Sequence, residues 1–252
     1  MSFSESNKFF IRNSLILGIL FLILWFFFPV GGAIDMQMIQ PWISTSGEFL
    51  LKDNWFLVGI NHKLIKYTII LFYICVMVTW IASFKSEKLK QYKWQLGYLF
   101  WVSLLSTVFI GIVKSQSAHA CPWSMTHQTT LGYIWDFSAT HGHCFPGGHA
   151  STGFSLIAGF FAFRTTKPKI AYLFLVLGLI LGFLTGWGQM MRGAHFLSHN
   201  LWTGWIIFTF NLVLYRVFYS QSYAVMGKYF KNINISTRTI APIQAKHRKD
   251  FL

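Results

Sequence analysis

Charge is scarce in this chain, and negative charge is scarcest. Only 11% of its 252 residues are Asp, Glu, Lys or Arg, and only seven of those are acidic. A soluble domain carries about 25% charged residues, so most of this surface cannot face water. No internal repeat, low-complexity segment or second domain breaks the pattern, which excludes solenoid and multidomain readings. What fills the chain instead is hydrophobic residues, 54% of the total. They fall in runs approaching the roughly 20 residues that cross a bilayer as a helix. The sequence therefore predicts an all-α polytopic membrane protein.

The first apolar run, residues 14–30, follows Lys8 and Arg12 but lacks a small-x-small cleavage site, so it reads as a retained span and not a signal peptide. Six transmembrane helices are predicted, near 14–32, 67–84, 95–113, 149–164, 170–187 and 198–216. They form one membrane domain over residues 1–216, with a basic, partly disordered tail over 217–252. With the N-terminus cytoplasmic, sixteen of the 21 Lys and Arg residues fall on the inner side. Such asymmetry follows the positive-inside rule and places both termini in the cytoplasm; the membrane expected is a bacterial inner membrane. The net charge of +14 is thus a matter of topology and anionic lipid, and no nucleic-acid partner is expected.

Cysteine is nearly absent too. Of the three, Cys75 falls within the second span, while Cys121 and Cys144 flank the long external loop. Two readings compete there: a disulfide in an oxidising compartment, or zinc held by Cys121, His141, His143 and Cys144, which has suitable ligand types but no familiar spacing. Histidines are concentrated instead of scarce. Seven of the nine lie between 119 and 199, all assigned to the outer face. His119 and His127 read as ordinary interfacial residues.

His149 is different, because it follows Pro146-Gly147-Gly148 at the mouth of a predicted span. The first N–H groups of a helix lack intrahelical acceptors and favour an anion, so Gly147 and Gly148 are candidate anion donors and His149 a candidate acid. In residues 188–202, a helix would place Arg192, His195 and His199 at i, i+3 and i+7, on one face. Lys114 leaves the third span on the same side. A nucleophilic histidine needs a neighbour to fix its tautomer, a cation for the oxyanion and an acid across the site, and this set contains all three.

These motifs resemble the type 2 phosphatidic acid phosphatase superfamily, integral-membrane lipid phosphatases related to vanadium haloperoxidases. Its pattern is Lys-x6-Arg-Pro, Pro-Ser-Gly-His and Ser-Arg-x5-His-x3-Asp. Lys114-x6-Cys121-Pro122 matches the first with Cys for Arg, and Pro146-Gly147-Gly148-His149 matches the second with Gly for Ser. In Gly193-Ala194-His195-Phe196-Leu197-Ser198-His199 the nucleophile position is His195, His199 stands at the Asp position, and Gln189 stands where the family has Arg. Arg192 is the candidate replacement for the missing phosphate-binding charge. Asp136, the sole acidic residue between Glu87 and Asp250, is a second candidate for the orienting role beside His199.

The resemblance implies a metal-independent, cofactor-free phosphatase with an external active site between the helix ends, acting on a phospholipid, polyprenyl or lipid A phosphate. His195 would form a phosphohistidine, with His149 as acid and then base, and Lys114, Arg192, Gly147 and Gly148 around the phosphate. Transfer from a polyprenyl diphosphate donor to a lipid A acceptor is the alternative. A haem-binding membrane protein and a catalytically inactive lipid-binding relative are the readings from other classes. Residues 35–66, with Trp42 and Trp55, read either as an interfacial flap or as a plain connecting loop.

Overall fold

A computed structural model describes residues 3–140 and 142–218. Helix α1 (Phe3–Phe27) stops short of Pro29, which cannot donate to the helical ladder and disfavours helical backbone at Phe28. A short helix α2 (Ala33–Ile39) follows. A π-helical segment, Phe56–Leu64, runs without a break into α3 (Ile65–Ala82). Helices α4 (Glu87–Lys90) and α5 (Lys93–Ser115) lead to an antiparallel hairpin, β1 (Thr126–Thr129) and β2 (Gly132–Trp135), which with an isolated bridge between Ile43 and Phe49 departs from an all-helical chain. Then come α6 (Gly148–Phe154), α7 (Ile157–Phe163), α8 (Pro168–Met191) and α9 (Leu197–Phe218).

Among the described residues, five helices are long and apolar enough to cross a membrane: Glu5–Phe27, Phe56–Ala82, Lys93–Ser115, Pro168–Met191 and Leu197–Phe218. Their outward faces carry large exposed apolar side chains such as Trp25, Phe26, Leu71 and Val78, as lipid-facing surfaces do. A helix suits this setting because it satisfies its own backbone where no water is available. The predicted tail lies outside the described residues from 219 onward.

The predicted span at 149–164 is not one helix but two, α6 and α7, parted at Ser155-Leu156. Ser151 Oγ donates to the Gly148 carbonyl and Ser155 Oγ to the Thr152 carbonyl, each at 2.6 Å. Such back-bonding bends helices. The carbonyl of Ser155 is taken up by Ser103 Oγ at 3.0 Å, and the Tyr73 hydroxyl lies 2.9 Å from Ser155 Oγ. Neighbouring helices thus satisfy the backbone that the break releases.

Helices α6 and α7 form the centre of the bundle, with Ala150, Phe154, Ile157, Ala158 and Phe161 buried. They approach α8 closely because the facing residues are glycines: a side chain on Gly153 would run into the backbone of Gly182. Small residues permit such contact where lipid offers no hydrophobic drive between helices. A second apolar cluster, built on Ile39, Ile43, Phe49, Met125, Met190 and Phe196, packs residues of the 35–66 segment against the hairpin region and the α8–α9 connection. That segment is therefore a packed cap leading into a helix, not a free flap. Thr126 Oγ1 donates to the Gly47 carbonyl at 2.8 Å, and the Trp123 N–H donates to the Gly193 carbonyl at 2.9 Å.

Candidate functional site

Helix α6 begins with Gly147 as N-cap, one residue after Pro146, and His149 stands second in the helix. The N–H of Gly147 donates to Thr203 Oγ1 at 2.8 Å and to the His199 carbonyl at 3.3 Å. It is therefore spent on α9, which corrects its expected role as an anion donor. The absence of a side chain here is steric: a Cβ on Gly147 would lie 2.7 Å from Asn200 Oδ1. Gly148 differs, since as the first helical residue its N–H has no intrahelical acceptor. A Cβ there would lie 3.6 Å from Lys114 Nζ, so the ammonium at the end of α5 hangs directly over the start of α6.

His149 has a partner that the sequence reading did not single out. His62 Nε2 meets His149 Nε2, with ring centroids 4.2 Å apart. His62 sits in the π-helical segment, whose wide turns recur at functional sites. Asn61 beside it is buried and donates to the Leu184 carbonyl at 2.9 Å, which ties this segment to α8. A histidine within an apolar helix was the available signal.

Residues 188–202 do not form one helix, so Arg192, His195 and His199 do not share a helical face as expected. Gly193 adopts φ +76°, its N–H donates to the Met190 carbonyl, and the Ala194 N–H donates to the Gln189 carbonyl, both at 2.9 Å. This is the Schellman end of a helix. Arg192 caps α8, His195 lies in the connection, and His199 occupies the first turn of α9. The fold still brings the two imidazoles together, with their Nδ1 atoms 3.4 Å apart. His149 and His195 are also neighbours, with ring centroids separated by 6.1 Å. Lys114 is within electrostatic range of His149, His195 and His199.

Arg192 Nε donates to the Lys52 carbonyl at 2.7 Å, and its Nη1 donates to Gln189 Oε1 at 3.1 Å. Gln189 is buried, and the arginine turns its amide so that Nε2 is left without a partner among the described residues. His62 Nδ1, His149 Nδ1 and His199 Nε2 are buried and unpartnered in the same way. Buried polar groups left open in this manner call for a ligand or water, and an oxyanion supplies acceptors to several donors at once.

Cys121 and Cys144 are joined in a disulfide, with Cα atoms 5.1 Å apart. Neither is then a thiolate, so the zinc reading loses two of its four ligands; His141 lies outside the described residues. The Cys144 N–H donates to the His119 carbonyl at 2.8 Å. The bridge therefore anchors the segment that leads through Phe145 and Pro146 into α6, and the Phe145 ring lies 5.6 Å from that of His199. His119 lies at the edge, its ring centroid 6.5 Å from that of His199. His143 bonds the Ser117 carbonyl at 2.6 Å and is exposed.

Asp136 is not brought to these histidines. Its carboxylate accepts from the Ser138 hydroxyl at 2.5 Å and the Ser138 N–H at 2.9 Å, and it pairs with His127 at 3.5 Å. The Ser138 bonds hold it below the usual carboxylate range. The carboxylate next to the histidine segment is instead Asp35 of α2, only 2% exposed, which bonds Ser198. Burial pushes its pKa up, against the pull of its hydrogen bonds. His195 is held well below the ordinary imidazole value, first by burial and then by the charges of His199, Lys114 and His149. A depressed value favours the neutral ring, which keeps a lone pair.

A family model described as the PAP2 superfamily matches residues 95–223, just over half of the chain, from α5 through α9. No curated protein and no solved structure matches the chain significantly. Lys114, His149, Gln189, Arg192, His195 and His199 all lie inside the matched region, whereas Asp35 and His62 lie outside it.

Proposed function

The chain belongs to the PAP2 superfamily and so to the phosphatases and phosphotransferases of the membrane, and from that premise we propose that it removes phosphate from a lipid phosphate or pyrophosphate through a phosphohistidine. The observation that carries this reading is the adjacency of His149 and His195, at 6.1 Å between centroids, beside the Lys114 ammonium at the start of α6.

In the first displacement, His195 Nε2 attacks phosphorus, the bond to the lipid oxygen breaks, and His149 gives that oxygen a proton. Water then attacks the phosphohistidine, His149 takes the water proton, and phosphate leaves. The Nδ1 contact between His195 and His199 supports the required tautomer: with the Nδ1 proton of His195 directed at His199, the Nε2 lone pair is free. His62 shares a proton with His149, and the negative substrate favours the charged form of that pair. Lys114, the Gly148 N–H and Gln189 Nε2 face the phosphoryl oxygens, where positioned donors contribute most of the acceleration. Arg192 acts one step back, by turning Gln189. No step requires a metal.

The apolar span count supports a six-crossing arrangement if α6 and α7 together make one crossing. Their 16 residues, 148–163, would reach about 24 Å at helical rise. The distribution of basic residues supports cytoplasmic termini and a periplasmic site in a bacterial inner membrane.

The test is phosphate release from phosphatidic acid, phosphatidylglycerophosphate, undecaprenyl diphosphate and lipid A, with and without chelator, by the wild-type protein and its His195→Ala variant. Turnover of at least one substrate, insensitive to chelator and abolished in the variant, is the expected result. Full activity in His195→Ala removes the mechanism. Labelled phosphate appearing on a second lipid instead of in solution identifies the protein as a transferase.

A further inference from the structure

We propose that Asp35 is a positioning residue for the nucleophile, acting through Ser198; this rests on the phosphohistidine reading above. Ser198 lies between His195 and His199 and is the second residue of α9. At that place its N–H has no carbonyl within the helix to receive it. Asp35, 163 residues away in sequence, receives it with Oδ1 at 2.8 Å. Its other oxygen, Oδ2, accepts the Ser198 hydroxyl at 2.5 Å and the Gly31 N–H at 2.9 Å. All three partners donate, which is the environment of an acceptor-only, ionised carboxylate. Both Asp35 and Ser198 are buried, at 2% and 0% exposure, so water cannot take over these bonds.

The family pattern places an orienting Asp four residues after the nucleophile, and here that position is His199. An imidazole there contacts His195 but carries no fixed charge, and the Ser198 N–H at the helix start goes to a carboxylate outside α9. Asp35 supplies the hold from outside. It caps α9 as an Asp N-cap would, except that it comes from another element, and its charge faces the positive end of the α9 dipole. The Gly31 bond ties the same carboxylate to the turn after the first span. The clasp therefore fixes where α9 begins and, with it, the angle at which His199 meets His195. A displacement of about 1 Å at a reacting group costs on the order of 100-fold in rate.

The experiment compares Asp35→Ala, Asp35→Asn and Ser198→Ala with wild type in the full-length, detergent-purified protein. It measures kcat and KM for the substrate turned over in the panel above, the Ki of orthovanadate, and thermal stability. Asp35→Ala is expected to lose about 10- to 100-fold in kcat, with KM within about threefold and vanadate Ki raised in proportion, because a transition-state analogue follows the transition state. Asp35→Asn keeps an acceptor for the Ser198 N–H but turns a donor towards the Gly31 N–H, and it should fall between Ala and wild type. Ser198→Ala keeps the backbone bond and should lose only a few-fold. Wild-type kcat and vanadate Ki in Asp35→Ala, with only the melting temperature reduced, would overturn the proposal. If Asp35→Ala does not fold, wild-type kcat in both Asp35→Asn and Ser198→Ala overturns it equally. His195→Ala separates the two levels, since activity there defeats the phosphohistidine reading whatever Asp35 does.

Discussion

His62 and His149, 87 residues apart in sequence, face each other Nε2 to Nε2 with their ring centroids 4.2 Å apart. A proton at that contact is open to either ring, so His62 is placed to set the protonation of the His149 ring proposed to act on the leaving group. Replacing His62 by Ala should therefore lower kcat by about 10- to 100-fold, within the range of general acid catalysis, and leave KM little changed. Steady-state kinetics on the purified variant decides the matter. A rise in KM at constant kcat would instead make His62 a substrate-binding residue.

Restoring the family serine at position 147 should harm this protein. The Cβ would lie 2.7 Å from Asn200 Oδ1, and Asn200 cannot retreat freely, because its Nδ2 donates to the Gly186 carbonyl at 3.0 Å and to the Phe196 carbonyl at 3.3 Å. Gly147→Ser alone is expected to destabilise by about 1–3 kcal/mol through overpacking. Combined with Asn200→Ala, it should recover part of that loss. A double-mutant cycle on melting temperature and kcat measures the coupling between the two sites; additive effects would mean that they do not touch.

The disulfide acts on the site as well as on stability. It closes a loop whose ends are 23 positions apart, worth roughly 3 kcal/mol in chain entropy, and it holds Cys144 next to Phe145, whose ring packs 5.6 Å from that of His199. In a Cys75→Ser background, alkylation should label nothing until a reductant is added. Reduction should then lower the melting temperature by about 5–10 °C and reduce turnover. Labelling of Cys121 and Cys144 without reductant would mean that the bridge does not form in the membrane.

Much of this was legible in the sequence, for physical reasons that differ from residue to residue. Low charge and long apolar runs are gross properties of a lipid-facing chain, so helical spans could be read from composition. The motif order groups Lys114, His149 and His195, and the fold sets Lys114 over the start of α6 and His149 beside His195, because each lies at or next to the end of an element that the bundle must bring to one level. What failed was whatever depended on a local backbone choice. The shared face of Arg192, His195 and His199 presumed a continuous helix, and Gly193 ends it with a left-handed turn. The span at 149–164 presumed one helix, and the hydroxyls of Ser151 and Ser155 break it. His62 and Asp35 escaped notice because their partners lie 87 and 163 residues away, a distance over which neither periodicity nor spacing carries information. Asp136 drew attention as an isolated acid in the right loop, yet isolation in sequence says nothing of what Ser138 offers two residues later.

Neutral His195 also makes stability depend on pH, with a definite sign. Burial holds its pKa well below the ordinary value in the folded protein, whereas the unfolded chain titrates at about 6.5. Between those two values the unfolded state binds a proton that the folded state refuses, so stability rises with pH across that window and is level above it. Each pH unit below about 6.5 should therefore cost up to 1.4 kcal/mol from this residue alone. In thermal denaturation of the detergent-solubilised protein, the melting temperature is expected to fall by several degrees between pH 7 and pH 5.5. The His195→Asn variant, with nothing to titrate at that position, should show a shallower fall. Equal slopes for the two proteins would mean that His195 takes up its proton while folded, and a protonated ring has no lone pair with which to attack phosphorus.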